Sequence, residues 1–175
     1  MSDTSKKHKA EAPSKLKYGI FLCSTSRYNQ AKKGEKIHDP SGDLIESMLR
    51  KAGQIILFRK IISDDPDMIT QSVKEIFREK VDAAIFCGGT GITPSDVTIE
   101  SVAPFLEKTV PGFGEIFRRL SYDEIGSAAI LSRTIAGVAK GKAIFCIPGS
   151  PNAAHLCLLR LILPEAGHLI KHARE

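Results

Sequence analysis

The chain lacks the features that mark a membrane protein, a disulfide scaffold or a zinc cage. Its 175 residues hold no apolar run near the roughly 18 residues of a membrane span. The strongest candidate, residues 156–163, is short and carries Arg160. Cysteine is sparse: Cys23, Cys87, Cys146 and Cys157 are widely separated, form no C-x-x-C pair and have no histidine at zinc-ligand spacing. Three of them close apolar runs, so reduced core thiols are expected. The first nine residues are polar and lysine-rich, without the apolar stretch of a secretory signal, and the cytoplasm is the expected compartment. Aromatic residues make up 6% and do not interleave with a basic face. The net charge of +5 is mostly local, because residues 1–17 supply +3 of it. Neither a nucleic acid nor a membrane is therefore an expected partner.

What is present is a composition of 42% hydrophobic and 26% charged residues, that of one folded domain. Residues 1–16 read as a disordered basic tail, and residues 17–175 as a single domain. Residues 18–23 form a short apolar strand, followed over 24–42 by a polar stretch without period that reads as a long loop. From Asp43 apolar residues fall at Leu44, Ile45, Met48 and Leu49, a helical stripe that Gly53 stops. Residues 54–62 read as a second strand, and Pro66 opens a second helix with Met68, Ile69, Val73, Ile76 and Phe77 on one face. Residues 81–87 are the third strand. Strands and helices in alternation, with near-continuous apolar strands, define an α/β class: a three-layer α/β/α sandwich around a mostly parallel sheet. Short helical segments are expected around 95–103 and 114–125. Lys140 and Gly141 join two further runs, 131–139 and 142–147, as a hairpin, so one strand should run antiparallel. Ser150 and Pro151 then cap a last helix over 152–163, with a break at Pro164.

Ligands of open α/β sheets sit beyond the carboxyl ends of the strands, and the loops there are rich in special residues. Gly88, Gly89, Thr90 and Gly91 follow strand three, where bare backbone N–H groups can approach an anion. Better-known phosphate motifs fail: Pro94 stands where a dinucleotide fingerprint needs a small residue, and the Gly137 to Lys142 stretch is too short for a P-loop and is followed by Ala143. No G-x-S-x-G elbow supports acyl transfer. Acids gather on the same rim: Asp39, the Asp64–Asp65 pair and Asp96. Carboxylates beside an anion cradle repel it unless a cation bridges them, which points to Mg²⁺ and a polyphosphate. Asp64 or Asp65 before Pro66 is equally a good N-cap, and Asp96 can stabilise a helix start; the residues alone leave both readings open. Of the histidines, His38 could reach this rim, whereas His155, His168 and His172 lie on or after the last helix.

The chain resembles the MoaB/MogA family of molybdenum cofactor biosynthesis proteins, and its MoaB branch most. The resemblance rests on Gly88-Gly89-Thr90-Gly91 with Asp96-Val97-Thr98, Pro111-Gly112-Phe113-Gly114-Glu115, Leu131-Ser132-Arg133, Ala136-Gly137 and Pro148-Gly149-Ser150-Pro151, in order across roughly residues 17–165. It implies transfer of AMP from ATP to molybdopterin, giving adenylyl-molybdopterin and pyrophosphate with Mg²⁺. Asp64 and Asp96 resemble the family's essential, metal-holding aspartates, with Asp65 as the alternative to Asp64. Gly88, Gly89, Thr90, Gly91, Pro148, Gly149 and Ser150 would line the nucleotide and phosphate site, and Ser132, Arg133, Ser41 and Gly42 the molybdopterin site. A homotrimer or hexamer is implied, with contact to a metal-insertion protein. Ser26 before Arg27 and Ser63 before Asp64 depart from the family's Asp-Arg and proline. An inactive molybdopterin or nucleotide binder acting as an oligomeric scaffold is the other reading.

Overall fold

The computed structural model describes residues 12–175. Six strands form one sheet in the order β2-β1-β3-β6-β5-β4. They are β1 (Lys17–Cys23), β2 (Ile55–Ile62), β3 (Ala83–Cys87), β4 (Lys108–Thr109), β5 (Ile135–Ala139) and β6 (Lys142–Ile147). β1 pairs in parallel with both β2 and β3, and β3 with β6. β5 alone runs against its neighbours, through the expected Lys140–Gly141 hairpin to β6. Lys140 takes a φ of 50° and Gly141 one of 68° there, the left-handed pair that a two-residue hairpin requires. The two-residue β4 carried too little pattern to be expected.

The near-continuous apolar strands are explained by cover on both faces, with alternate residues entering two different cores. Tyr18, Ile20, Leu22, Ile85, Phe145 and Ile147 join one, and Phe21, Ala84, Phe86, Ile144 and Cys146 the other. The first core is closed by α2 (Pro40–Lys51), α5 (Pro111–Ile125) and the last helical segment, through Ile45, Leu49, Phe113, Phe117, Leu158 and Ile170. The second is closed by α3 (Pro66–Arg78) through Ile69, Val73 and Ile76, and by α4 (Thr98–Val102) through Val102. The layers are those expected of a three-layer α/β/α sandwich.

Four local expectations are corrected. The stretch 24–42 is not a loop: it holds α1 (Thr25–Lys32), capped by Ser24, and the first turn of α2, which begins at Pro40 because Asp39 accepts from the Gly42 N–H at 3.1 Å. The run 131–139 becomes strand only from Ile135, since Gly126–Leu131 is a 3₁₀ turn. The final helix does not break at Pro164. After α6 (Pro151–Cys157) the chain widens into a π turn over Leu158–Ile162, where the Leu163 N–H reaches the Leu158 carbonyl, and continues as α7 (Leu163–Arg174) with the proline in its first turn. By length and composition the stretch Pro151–Arg174 could cross a bilayer, but it packs into the first core. Finally, Leu16 belongs to the domain rather than the tail: it is 3% exposed, its N–H donates to Gln54 Oε1 at 2.8 Å, and Gln54 donates in turn to the Ser14 carbonyl. Most of the expected tail, residues 1–11, lies outside the described residues.

Candidate active site

The connection from β1 leads outward to β2, and the connection from β2 returns past β1 to β3. The strand order therefore reverses between β1 and β3, and a cleft opens there beyond the carboxyl ends. A cavity of about 400 Å³ fills it, lined from β1 by Cys23, Ser24 and Arg27, after β2 by Asp64, after β3 by Gly88, Gly89, Thr90, Gly91, Ser95 and Asp96, and after β6 by Pro148 and Gly149. Leu131, Ser132 and Arg133 close the far wall.

The glycine cradle depends on missing side chains. Gly88 and Gly89 have φ of 105° and 61°, the region that favours glycine. A Cβ on Gly89 would stand 2.5 Å from Thr98 Oγ1 and 2.7 Å from Asp64 Oδ1. Gly149 lets the β6 loop approach the backbone of Gly88, since a Cβ there would lie 3.2 Å from the Gly88 Cα. Ser41 holds that loop from below, donating to the Gly149 carbonyl at 2.7 Å, and Cys87 donates to the Pro148 carbonyl at 3.4 Å.

The two acids are held differently. Asp64 accepts at one oxygen, Oδ2, from the Thr25 N–H at 2.8 Å and hydroxyl at 2.9 Å. Its other oxygen, Oδ1, is buried beside the cradle with no hydrogen-bond partner, as is Thr98 Oγ1. A buried carboxylate oxygen without a donor is costly unless a cation or donor reaches it. Asp65, the alternative acid, is turned away: it caps α3, accepting from the Met68 N–H at 2.8 Å. Asp96 accepts at Oδ2 from the Thr93 hydroxyl at 2.6 Å and N–H at 2.9 Å. Chiefly that hydroxyl bond holds its carboxyl below the ordinary carboxylate range, while partial burial opposes the shift. Two arginines balance the acids. Arg133 donates to the Thr90 carbonyl at 3.0 Å and to Glu100 at 2.6 Å, and Arg27 donates to the His38 carbonyl at 3.0 Å.

The residues expected from sequence fall into two groups. Asp64, Asp96, Gly88, Gly89, Thr90, Gly91, Pro148, Gly149, Ser132 and Arg133 line one cavity. Ser150, Ser41 and Gly42 do not line it: Ser150 caps α6, Ser41 braces the Gly149 loop, and Gly42 packs on Asp39 and Arg59. His38 contributes only its carbonyl to the neighbourhood of Arg27. Asp39, placed on the same rim by the sequence, is instead a buried partner of Arg59 at 2.6 Å. Sequence reasoning missed Ser24, Arg27, Ser95 and Leu131, and took Cys23 only for a core thiol. Recognising α1 would have found the first two, because a helix there brings Arg27 back over the strand end.

Asp64 and Asp96 bring hard oxygen donors to two walls of the cavity, one of them with an unpartnered buried oxygen, and this donor chemistry would suit Mg²⁺. Among the described residues no group of three or more His, Cys, Asp or Glu side chains forms a closed metal cage.

A doubly wound α/β/α protein with a glycine anion cradle and two acids at its switch point is the class that fold and cleft define. A family model described as "Probable molybdopterin binding domain" matches residues 19–168. "Molybdenum cofactor biosynthesis protein B" of Bacillus subtilis is 42% identical over 170 residues, 96% of each chain. "Molybdopterin adenylyltransferase" of Pyrococcus furiosus is 40% identical over 172 residues, 96% of this chain and 97% of that one. Among solved structures, a "Molybdenum cofactor biosynthesis protein B" superposes with a TM-score of 0.84 at 40% identity, covering 94% and 99% of the two chains. The "tungsten cofactor synthesizing protein MoaB from Pyrococcus furiosus" gives 0.82 at 38%, covering 94% and 100%. The chain belongs to the MoaB/MogA family of molybdenum cofactor biosynthesis proteins.

Proposed function

We propose that this cleft transfers AMP from ATP to molybdopterin, releasing pyrophosphate, with Mg²⁺ required. The observation that carries the reading is the meeting of Asp64, with its unpartnered buried oxygen, Asp96 and the glycine cradle in one cavity. The name of the Pyrococcus furiosus relative agrees with it.

In the reaction an oxygen of molybdopterin's own phosphate forms a bond to the α-phosphorus of ATP, and the bond from that phosphorus to the pyrophosphate oxygen breaks. The attacking phosphate is already ionised at neutral pH, so no general base is required. The cavity accordingly contains no histidine, and its one thiol, Cys23, is kept protonated by burial, which pushes it up to about 12. Backbone N–H groups of the cradle orient the phosphates, and Arg27 and Arg133 offset their charge from two sides. Asp64 and Asp96 would hold Mg²⁺, which supplies charge neutralisation on the polyphosphate. Ser132, beside Arg133 on the far wall, is the contact for molybdopterin.

The test is incubation of the protein with ATP, Mg²⁺ and molybdopterin, reading adenylyl-molybdopterin by mass. Product is expected, with Asp96→Asn lowering the rate by orders of magnitude in folded protein. If the wild-type protein binds molybdopterin and yields no product, it is a binder and not an enzyme.

A further inference from the structure

Arg133 stands where three segments meet, with one edge of its guanidinium held by the protein and the other open. A guanidinium carries five N–H donors in one plane; Nε and Nη2 present one edge, and Nη1 and Nη2 the next. The first edge is taken: Nε donates to the Thr90 carbonyl at 3.0 Å and Nη2 to Glu100 Oε1 at 2.6 Å. Among the described residues the second edge has no hydrogen-bond or ion-pair partner. Arg133 lines the cleft, so this second edge is what it offers to an anion bound there.

The two anchors are also fixed to one another. Thr90 is buried in the glycine cradle, and its neighbour Gly89 accepts from the Thr98 N–H at 2.9 Å. That bond joins the cradle to α4, and Glu100 lies in the first turn of the same helix. Three bonds thus close a triangle: cradle to α4, α4 to Arg133, and Arg133 back to the cradle. A single bond to the Thr90 carbonyl would leave the guanidinium free to turn about it. The carboxylate of Glu100 is the second point that fixes its plane.

Exposure separates this role from a stabilising one. The side chains of Arg133 and Glu100 are 35% and 52% exposed, and an ion pair this open adds little to folding stability. Orientation matters more, because an arginine already held in plane presents two parallel N–H bonds to a phosphate without first losing rotamer freedom.

We propose that Glu100 is a positioning residue for the phosphate monoester of the pterin substrate, acting through Arg133 by aiming its open Nη1–Nη2 edge at the phosphate oxygens. The inference rests on the molybdopterin reading of the cleft. Glu100 does not itself line the cavity. Ser132, the neighbour of Arg133, lies on the same far wall, so the group met there is the attacking phosphate and not the triphosphate in the cradle.

Molybdopterin binding to the full-length protein is measured by calorimetry, with turnover in ATP and Mg²⁺ followed in parallel. Glu100→Ala should weaken molybdopterin binding about three- to tenfold, with the KM for ATP and the melting temperature unchanged. Glu100→Gln keeps an acceptor and should recover part of that loss. In an Arg133→Lys background, which lacks the planar fork, Glu100→Ala should weaken binding no further. Unchanged molybdopterin binding in Glu100→Ala, or the same loss in both backgrounds, overturns the proposal. A wild-type protein that binds molybdopterin and forms no product defeats the transfer reaction alone, since the binding comparison still decides the role of Glu100. A wild-type protein that does not bind molybdopterin overturns both.

Discussion

Thr93 donates to Asp96 through both its hydroxyl and its N–H, and the ionised carboxylate is what these bonds favour. Asp96 therefore adds folded-state stability at pH above the ordinary carboxylate value of about 3.9, and this is lost as pH falls through its lower folded value. Thr93→Val should move the Asp96 titration up toward the ordinary range, read by carbon NMR of the side-chain carboxyl. An unmoved titration would mean that the hydroxyl bond is not its chief cause. Asp64 and Ser132 face the same cavity with different tasks under the proposed reaction. Ser132→Ala removes one hydrogen bond to molybdopterin, worth about 0.5 to 1.5 kcal/mol, and should weaken its binding about three- to tenfold. Asp64→Ala should lower turnover while molybdopterin still binds, because the acid acts on charge in the transition state. If Asp64→Ala abolishes molybdopterin binding and Ser132→Ala leaves it unchanged, the two subsites are reversed.

Helix α2 shows how one side chain can position an element. Asp39 caps it and accepts from Arg59 of β2 at 2.6 Å, while Arg59 also bonds Asp43 at 2.7 Å and Glu46 at 3.3 Å. Asp39→Ala removes the cap and leaves a largely buried guanidinium short of one partner. The expected cost is about 2 to 4 kcal/mol by urea denaturation; a loss under about 1 kcal/mol would show that Asp43 and Glu46 suffice. The sequence made β1, β3 and β6 legible because both faces of each are covered, β2, an edge strand with Ile62 alone buried, by its apolar run, and α3 because a single apolar stripe meets the second core. It concealed α1, which has no buried residue and hence no stripe to read. It also concealed β4, at two residues, and the passage through Pro164, which follows a π turn and sits in the first turn of α7. Glycines and acids made the cleft readable in outline, since their positions beyond strand ends follow from topology. Whether Asp64 or Asp65 turned inward was not readable, because either could cap α3 and only the bond from Thr25 decides it.

Both cores share one sheet, so neither can be exposed while the other stays intact. The four cysteines sample this directly: all are free and buried, on β1, β3, β6 and α6. Burial raises the pKa of each thiol, which keeps them protonated at neutral pH. With a thiol reagent fast enough to outpace reclosing, alkylation of native protein at Cys87, Cys146 and Cys157 should therefore proceed through global opening, all three modified together at the unfolding rate, which rises with urea. Sites modified singly, at rates independent of urea, would instead reveal local fluctuations. Each opened molecule gains all four tags and each closed one at most that of Cys23, which lines the cleft, so a mass spectrum of a briefly labelled sample separates into two populations. The burial of these thiols thus makes the chain its own census of how many copies are unfolded at a given moment, with no dye or engineered probe.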